Sequence, residues 1–551
     1  MSGMLNPGVT VEIVDQPAQG GTVTINPDNG KVNFVSNGST YVGLDHFTYR
    51  VKDALGAYSE IATVDFSIAP DGVILVTTLS DNTSADNNRV SLREAILAAN
   101  ADASVDAAPA GNGSDTIMFD PILFMNEGSS DLVARVMAQQ ATQFAITDSV
   151  TIIAPVSANG DPLLTIDATP ASGSSRHFFI SDGTATVLQV NLQNLILIEG
   201  KTSDNGGSIF NSEHLVLTYC HLLNSQTTSG LGGAIYNTGT LELVNSLLQT
   251  NQSLLSSGGA IASVSGSVSL NQTTIDDSDS EGFGGGLYAV NTDLSIINSV
   301  ISNNSSFLGG GGGIYQNLGM LTITGSSIFS NTTGSASDGG GVYATETTTS
   351  ITDSTFHINR SSGSGGGLSQ NSGTLSVRNS TFSENEALFG NGGGIYTGAN
   401  TVTVVNSTIS GNTASQNGGG IYFVDHVYFA SGTIDNSTIA ANHADMNGGG
   451  LHFENIFEKV AANNTIIADN TAAGSGADGF GALLGSYSII EDTNGLDLLS
   501  AVNFITGQDP GLLPLGDYGG LTQTHALAAN SIAIDAGDPT FNSNSFTPAL
   551  T

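Results

Sequence analysis

Gly311-Gly312-Gly313-Ile314-Tyr315 is one copy of a phrase that recurs through the middle of this 551-residue chain: a glycine pair, a small residue, an aliphatic one and usually an aromatic. It returns as Gly232 to Tyr236, Gly284 to Tyr288, Gly339 to Tyr343, Gly392 to Tyr396, Gly418 to Tyr422 and Gly448 to His452. The aliphatic markers are Ile209, Ile235, Ile261, Leu287, Ile314, Val342, Leu368, Ile395, Ile421 and Leu451, separated by 26, 26, 26, 27, 28, 26, 27, 26 and 30 residues. A fixed period of this size is the signature of a solenoid, in which each unit buries its apolar face against its neighbours.

Midway through each unit lies a second phrase, Asn-Ser-x-hydrophobic-x-x-Asn. It reads Asn245 to Asn251, Asn379 to Asn385, Asn406 to Asn412 and Asn436 to Asn442, with degenerate copies ending at Asn304, Asn331, Asn359 and Asn470. Before it comes an alternating run such as Thr240-Leu241-Glu242-Leu243-Val244. Two or three short alternating segments per unit, split by Gly, Asn and Ser, indicate strands and turns. One unit per rung of a parallel β-helix follows, with glycines at corners that need positive φ or close backbone approach. The recurring Asn suits a turn whose side chain bonds backbone amides or the next Asn in a ladder. At about 4.8 Å per rung, ten rungs give a rod on the order of 50 Å.

Charged residues make up 11 % of the chain, Trp is absent and the net charge is −38, from 11 Lys and Arg against 49 Asp and Glu. Such a surface repels nucleic acid and anionic membranes, so neither is expected as a partner. The lone Cys220 excludes an intramolecular disulfide framework, and no apolar run is long enough to span a bilayer. Met1 to Val11 has neither the basic start nor the apolar run of a signal peptide. The expectation is a secretion signal outside this segment; cytoplasmic storage or scaffolding is the reading that takes its absence literally.

Ahead of the repeats, Val9 to Val14, Gly21 to Ile25, Lys31 to Phe34, Asp45 to Val51 and Ala62 to Ile68 read as strands, with a turn at Asn26 to Gly30. The run Asp45-x-Phe47-x-Tyr49-x-Val51-x-Asp53 followed by Ala62-Thr63-Val64 resembles the bacterial Ig-like, cadherin-like domains of surface proteins, with the first strand or two missing. The sandwich is then a piece of something larger or has an open edge. An open edge could accept a strand from a neighbouring chain, the Thr540 to Thr551 tail being a candidate donor, and so join subunits head to tail.

Val90 to Asn100 reads as a helix, with Ser91 and Glu94 forming a capping box and Leu92, Ala95, Ile96 and Ala99 on one face. It is the candidate cover for the exposed cross-section of the first rung. The stretch resembles the CSLREA-type motif of secreted β-helix proteins, with Val90 in place of Cys; Asp509 to Leu512, Asp517 to Gly520 and Ser531 to Gly537 resemble the closing segment of the same proteins. Gly232 to Ile235 and Phe382 to Asn385 resemble the polymorphic outer-membrane-protein repeats of bacterial adhesins. These resemblances imply an all-β fold: a right-handed parallel β-helix with units of about 26 residues, a capping helix and an N-terminal Ig-like β-sandwich. The expected layout is 1–70 Ig-like, 71–170 cap and leading rungs, 171–483 regular repeats, and 484–551 terminal rungs and tail.

Right-handed β-helices also include polysaccharide enzymes. A uronate lyase needs a basic residue and cations to neutralise the substrate carboxylate, yet Asn205 to Asp478 contains only Arg360, Arg378 and Lys459. A glycosidase needs two carboxylates across a cleft. Asp276, Asp277, Asp279 and Glu281 form the densest acidic cluster but are contiguous, so they suit a solvated loop or a Ca²⁺ site built from one flexible loop. Ca²⁺ is the only cofactor the residues suggest. No zinc spacing is present, and His214, His221, His357, His443 and His452 fall at unrelated places in their units.

Strand alternation points the residue after each marker outward, placing Tyr236, Tyr288, Tyr315, Tyr343, Tyr396 and Tyr422 with Phe210 in a column. The column reads first as a stabilising stack, and second as a platform for glycans or a docking protein. Taken together, the chain is expected to be a non-enzymatic, extracellular or cell-surface stalk, adhesin or filament subunit. Its expected partners are other copies of itself, neighbouring surface proteins or glycans. A polysaccharide lyase or glycoside hydrolase is the alternative.

Overall fold

The computed structural model describes residues 8–26, 31–35, 37–38, 41, 43–70, 72–81, 89–126, 128, 131–138, 142–169, 175–424, 431–454 and 459–540. Most of the expected turn at Asn26 to Gly30 and of the proposed donor tail at Thr540 to Thr551 lies outside these residues. The chain divides into two compact units, Met1–Asp167 with Asp182–Ile196, and Ala168–Ser181 with Leu197–Thr551.

In the first unit, β1 (Thr10–Asp15), β4 (Gly43–Lys52) and β5 (Ala62–Ile68) form an antiparallel sheet, and β2 (Thr22–Ile25) pairs with β3 (Val32–Val35) in a second. Phe47, Val23 and Ile68 are buried, and Phe66 packs against Phe34 at 5.2 Å and against Phe47 at 6.1 Å. Asp45 opens the alternating motif because it organises a loop: its carboxylate accepts the backbone N–H of Ala18, Gln19 and His46. Burial alone would raise the Asp45 pKa, but those three donors hold it below the ordinary value.

The same unit begins a parallel ladder. Strand β6 (Val73–Val76) pairs with β7 (Asp115–Phe119), and β7 with β10 (Val150–Ile153), reached after β8 (Arg135–Ala138) and β9 (Phe144–Ile146). Helix α1 (Leu92–Ala101) packs on β6, β7 and β9. Both halves of its capping box form, and Leu92, Ala95, Ile96, Ala98 and Ala99 are buried. Arg93 forms a fork on Asp81 at 2.8 and 2.9 Å and lies over the Phe144 ring at 4.5 Å. Each letter of Ser91-Leu92-Arg93-Glu94-Ala95 therefore has a physical task, namely cap, core, ion pair, cap and close contact.

The second unit consists of rungs with four strands each, here a, b, c and d. One rung runs Leu287–Val290, Asp293–Ile297, Val300–Ser302 and Ser305–Ser306. The fourth strand, only two residues long, is too short to carry a period, which is why alternation suggests two or three segments. All ten aliphatic markers lie in a-strands paired in register from Ile209 to Leu451, and none is more than 1 % exposed. The d-strands form a separate 11-stranded parallel sheet.

Corners explain the polar letters. Asn245, Asn379, Asn406 and Asn436 have φ near +50°, which Asn tolerates better than most residues, and turn strand b into strand c. The Ser or Thr that follows forms a hydroxyl column: Cys220 N–H donates to Ser246 Oγ, Ser246 N–H to Thr273 Oγ1, and the chain continues rung by rung through Ser299, Ser326, Ser354, Ser380, Ser407, Ser437 and Thr465 to Ser488.

At the next corner, Asn304, Asn331, Asn359, Asn385, Asn412, Asn442 and Asn470 form a ladder. Each of the first six donates Nδ2–H to the next Oδ1 at 2.9–3.0 Å, and each of the seven also donates to a carbonyl of the preceding rung. The ladder ends on Asp478, whose Oδ1 accepts from Asn470 Nδ2 at 3.0 Å. Glycine fills the d-to-a turn of the regular rungs for steric reasons. Gly311 has φ +76°, and a Cβ on Gly312 would lie 2.4 Å from the carbonyl oxygens of Gly340 and Thr332.

Candidate functional site

The residue after each marker does leave the core, but the aromatic side chains are largely covered. Tyr315 is 9 % and Tyr422 5 % exposed, while Tyr236, Tyr288, Tyr343 and Tyr396 are half-buried. Ring faces meet one another: Tyr288–Tyr315, Tyr315–Tyr343 and Tyr396–Tyr422 stack with centroids 5.3, 5.4 and 5.5 Å apart and planes within 16°. His452 extends the column between Tyr422 and Phe480, at 4.9 and 5.2 Å. Burial pushes the Tyr396 hydroxyl up to about 12 and raises the others, and it lowers the His452 pKa. Faces used for stacking on one another are not free for a pyranose ring. The gap at Ala262 and Ser369 divides the column into short stacks.

The acidic cluster is spread around one corner. Asp276, at the end of a c-strand, accepts from Gln249, Ser302 and Asn303; burial would raise its pKa, but these hydrogen bonds bring it below the ordinary value. Asp277 is the corner itself at φ +49°, and its Oδ2 accepts from Thr250. Asp279 opens the d-strand, and burial followed by the Asp277 charge raises its pKa. Glu281 stands two positions further on, between Leu254 and Phe307 of the adjoining rungs.

Among the described residues, the three carboxylates with ligand atoms all within 4.8 Å of one another are Asp469, Glu491 and Asp509. They come from the c-to-d corners of the last rungs, and no sequence spacing marks them. Glu491 also accepts the Asp469 N–H at 2.9 Å. Burial, then the charge of Asp509, raises the Asp469 carboxyl, against a smaller pull from His525. Of the three cations in the repeats, Arg360 pairs with Glu386 at 3.0 Å across adjacent d-strands, Arg378 ends a b-strand, and Lys459 is exposed.

The outer face of the c-strands carries a feature that the repeat pattern does not show. A hairpin of Leu512–Gly516 and Thr524–Leu527 lies across it. Thr522 donates to the Asn379 carbonyl at 3.2 Å, Thr408 meets Thr524 at 2.9 Å, and Ser410 meets His525 Nε2 at 2.9 Å. Thr381 donates to the Gln523 carbonyl at 2.5 Å, across 142 residues of sequence.

With this geometry in place, residues 5–67 match the family described as Bacterial Ig domain, and residues 406–424 match the Chlamydia polymorphic membrane protein repeat. The second match spans Asn406, the c- and d-strands, the glycine turn and the following a-strand, which is three of the four strands of a rung. The fold is an N-terminal Ig-like domain followed by a parallel β-solenoid. Solved structures that resemble it include tailspike protein 3 of bacteriophage CBA120, at 10 % identity and a TM-score of 0.35, covering 72 % of this chain. Another is a Family 28 exopolygalacturonase of Yersinia enterocolitica, at 9 % identity and a TM-score of 0.22, covering 87 % of this chain and 86 % of that one. The chain spans about half (55 %) of the tailspike chain. No curated protein matches it. No helix among the described residues is long and apolar enough to cross a membrane.

Proposed function

We propose that this chain is a rigid, non-enzymatic stalk on the bacterial surface, structural or adhesive in role. The observation that carries the reading is the unbroken asparagine ladder from Asn304 to Asn470. Seven rungs repeat one buried carboxamide geometry. Enzymes place their chemistry on loops held by a scaffold, whereas here the side-chain investment goes into uniform stacking. A repeat of the polymorphic membrane protein type and an Ig-like module fit display outside the cell. The short sheet edges of that module suit pairing with neighbouring chains of the same kind.

Immunogold electron microscopy of unpermeabilised cells tests this reading. Rods projecting from the envelope, lost on protease shaving, are the expected result, and labelling only after permeabilisation would overturn it.

A second reading, hydrolysis of a polysaccharide, draws support from Asp469, Glu491 and Asp509, because paired carboxylates with one raised pKa suit acid–base chemistry. Under that reading the full chain releases reducing ends from a neutral polysaccharide, and Asp469→Asn loses at least about a hundredfold of the rate.

A further inference from the structure

We propose that the groove beneath the C-terminal hairpin binds neutral glycans. The groove has a volume of about 500 Å³, inside the range of roughly 300–1,000 Å³ typical of ligand sites. Ser327, Phe329, Thr355 and His357 form its floor, and Asp517, Gly520, Leu521, Thr522 and Gln523 form its wall. The floor is built by alternation: Ile328 and Phe356 are fully buried, so their neighbours in the same c-strands face outward. The wall is fixed, because the hairpin is tied to Asn379, Thr381, Thr408 and Ser410 on the following rungs.

The lining has the two kinds of surface a pyranose requires. Phe329 is half-buried with a free part in the groove, and Leu521 is 76 % exposed although it is a large aliphatic residue. They offer apolar area to the C–H face of a sugar ring. Around them stand groups that pair with hydroxyls. The Ser383 hydroxyl holds His357 Nδ1 at 3.0 Å, which fixes the ring and directs Nε2 away from that bond. Asp517 uses Oδ1 on the Gly519 N–H at 2.9 Å, leaving Oδ2 as an acceptor. Ser327, Thr355 and Gln523 add hydroxyl and amide partners.

Charge decides between neutral and acidic sugars. Among the described residues no Lys or Arg lines the groove, and the chain carries −38 overall, so a uronate or sialic acid would enter unneutralised. The stacked tyrosines, by contrast, spend ring faces on one another, as Tyr315 does between Tyr288 and Tyr343. The inference does not depend on the stalk reading, because the groove exists whether the rod is anchored or free.

The test uses fluorescently labelled full-length chain on a printed array of neutral, uronate and sialylated glycans. Saturable binding confined to neutral glycans is expected. Leu521→Ser, at an exposed position, should weaken that signal about tenfold, and Phe329→Ala by at least as much with an unchanged melting curve. Leu255→Ser, an equally exposed apolar site on the d-to-a turn (72 % exposed), should leave it unchanged. Absence of neutral-glycan binding, preference for acidic glycans, or full binding by the Leu521→Ser variant would each overturn the proposal. Failure here leaves the rod intact in the electron microscope, and failure of the stalk reading leaves array binding intact.

Discussion

The early rungs of the repeat and the later ones solve the same corner in two ways. At the ladder position the early rungs carry Ser225, Asn251 and Ser278, and the third residue of their glycine phrase is Ser208, Ala234 or Ala260. From Gly286 to Gly450 each rung has glycine there and asparagine in the ladder, from Asn304 to Asn470. The two positions meet across the interior: a Cβ on Gly313 would lie 3.0 Å from Asn331 Cγ, one on Gly394 3.1 Å from Asn412 Cγ, and one on Gly450 2.9 Å from Asn470 Nδ2. Ser208 and Ser225, the small pair at the start, bond hydroxyl to hydroxyl at 2.7 Å. Glycine and asparagine are thus one packing unit. In the later rungs the missing methyl makes room for a carboxamide that bonds both rungs, whereas the Nδ2 of Asn251, in the rung that carries Ala234, donates to the Leu222 carbonyl.

The largest effect is expected where that unit is strongest. Asn385 donates to the Phe356 carbonyl at 3.0 Å and to Asn412 Oδ1 at 2.9 Å, and accepts from both nitrogens of Asn359 at 3.0 Å. Asn385→Asp keeps the acceptors but turns a buried carboxylate toward two oxygens. We expect a loss of about 3–5 kcal/mol at neutral pH. Because solenoid rungs couple to their nearest neighbours, hydrogen exchange should accelerate around residues 356–412 first. Asn251→Asp, whose parent side chain donates only to the Leu222 carbonyl in the early rungs, should cost less than half as much. Equal losses at the two sites would remove the distinction between the two kinds of rung.

The second effect lies at the ladder's end and has the opposite sign. Asp478 is 1 % exposed, takes Asn470 Nδ2–H and the Asp492 N–H, and burial, with the nearby Glu491 charge adding, raises its pKa to about 6. A carboxyl that holds its proton more tightly when folded contributes stability below its unfolded pKa of about 4, and that contribution is lost as pH rises through about 6. Asp478→Asn supplies a neutral carboxamide and continues the ladder by one step. It should stabilise the second unit by about 1–3 kcal/mol at pH 7 and flatten the decline between pH 4 and 7. Denaturant melts at pH 4.5 and 7.5 check it, and a variant no more stable at the higher pH would show that the charge is already solvated.

Much of this was readable in the residues themselves. Both repeated phrases, the buried markers, the helix with its capping box, the five strands of the N-terminal module and the asparagine ladder follow from period, alternation and turn chemistry. What was not readable depends on residues that meet without a fixed spacing. Gly313 and Asn331 belong to different phrases, and only the closed rung shows that they touch. Tyr315 obeys alternation, yet its 9 % exposure comes from flanking rings, Phe283 among them at 4.6 Å. The contact of Thr381 with Gln523 and the convergence of Asp469, Glu491 and Asp509 depend on how the terminal segment returns over the last rungs, which no repeat encodes.

The smallest effect tests the coupling directly. Gly313→Ala places a methyl 2.7 Å from the Gly341 carbonyl oxygen and 3.0 Å from Asn331 Cγ, so neighbours on two rungs must move. A methyl of this kind in a close-packed interior costs about 1–2 kcal/mol. At the register-equivalent early position the pair is Ala260 and Ser278, where the smaller ladder residue accommodates the methyl. Ser278→Asn alone should therefore be close to neutral, since the new carboxamide gains bonds but crowds Ala260. Adding Ala260→Gly should release it, giving a favourable coupling of about 0.5–1.5 kcal/mol in a double-mutant cycle. Additive behaviour at 260 and 278 would mean that glycine in the later rungs answers to backbone approach alone, since the Gly341 oxygen is the nearer neighbour. Coupling would show that the asparagine sets its size.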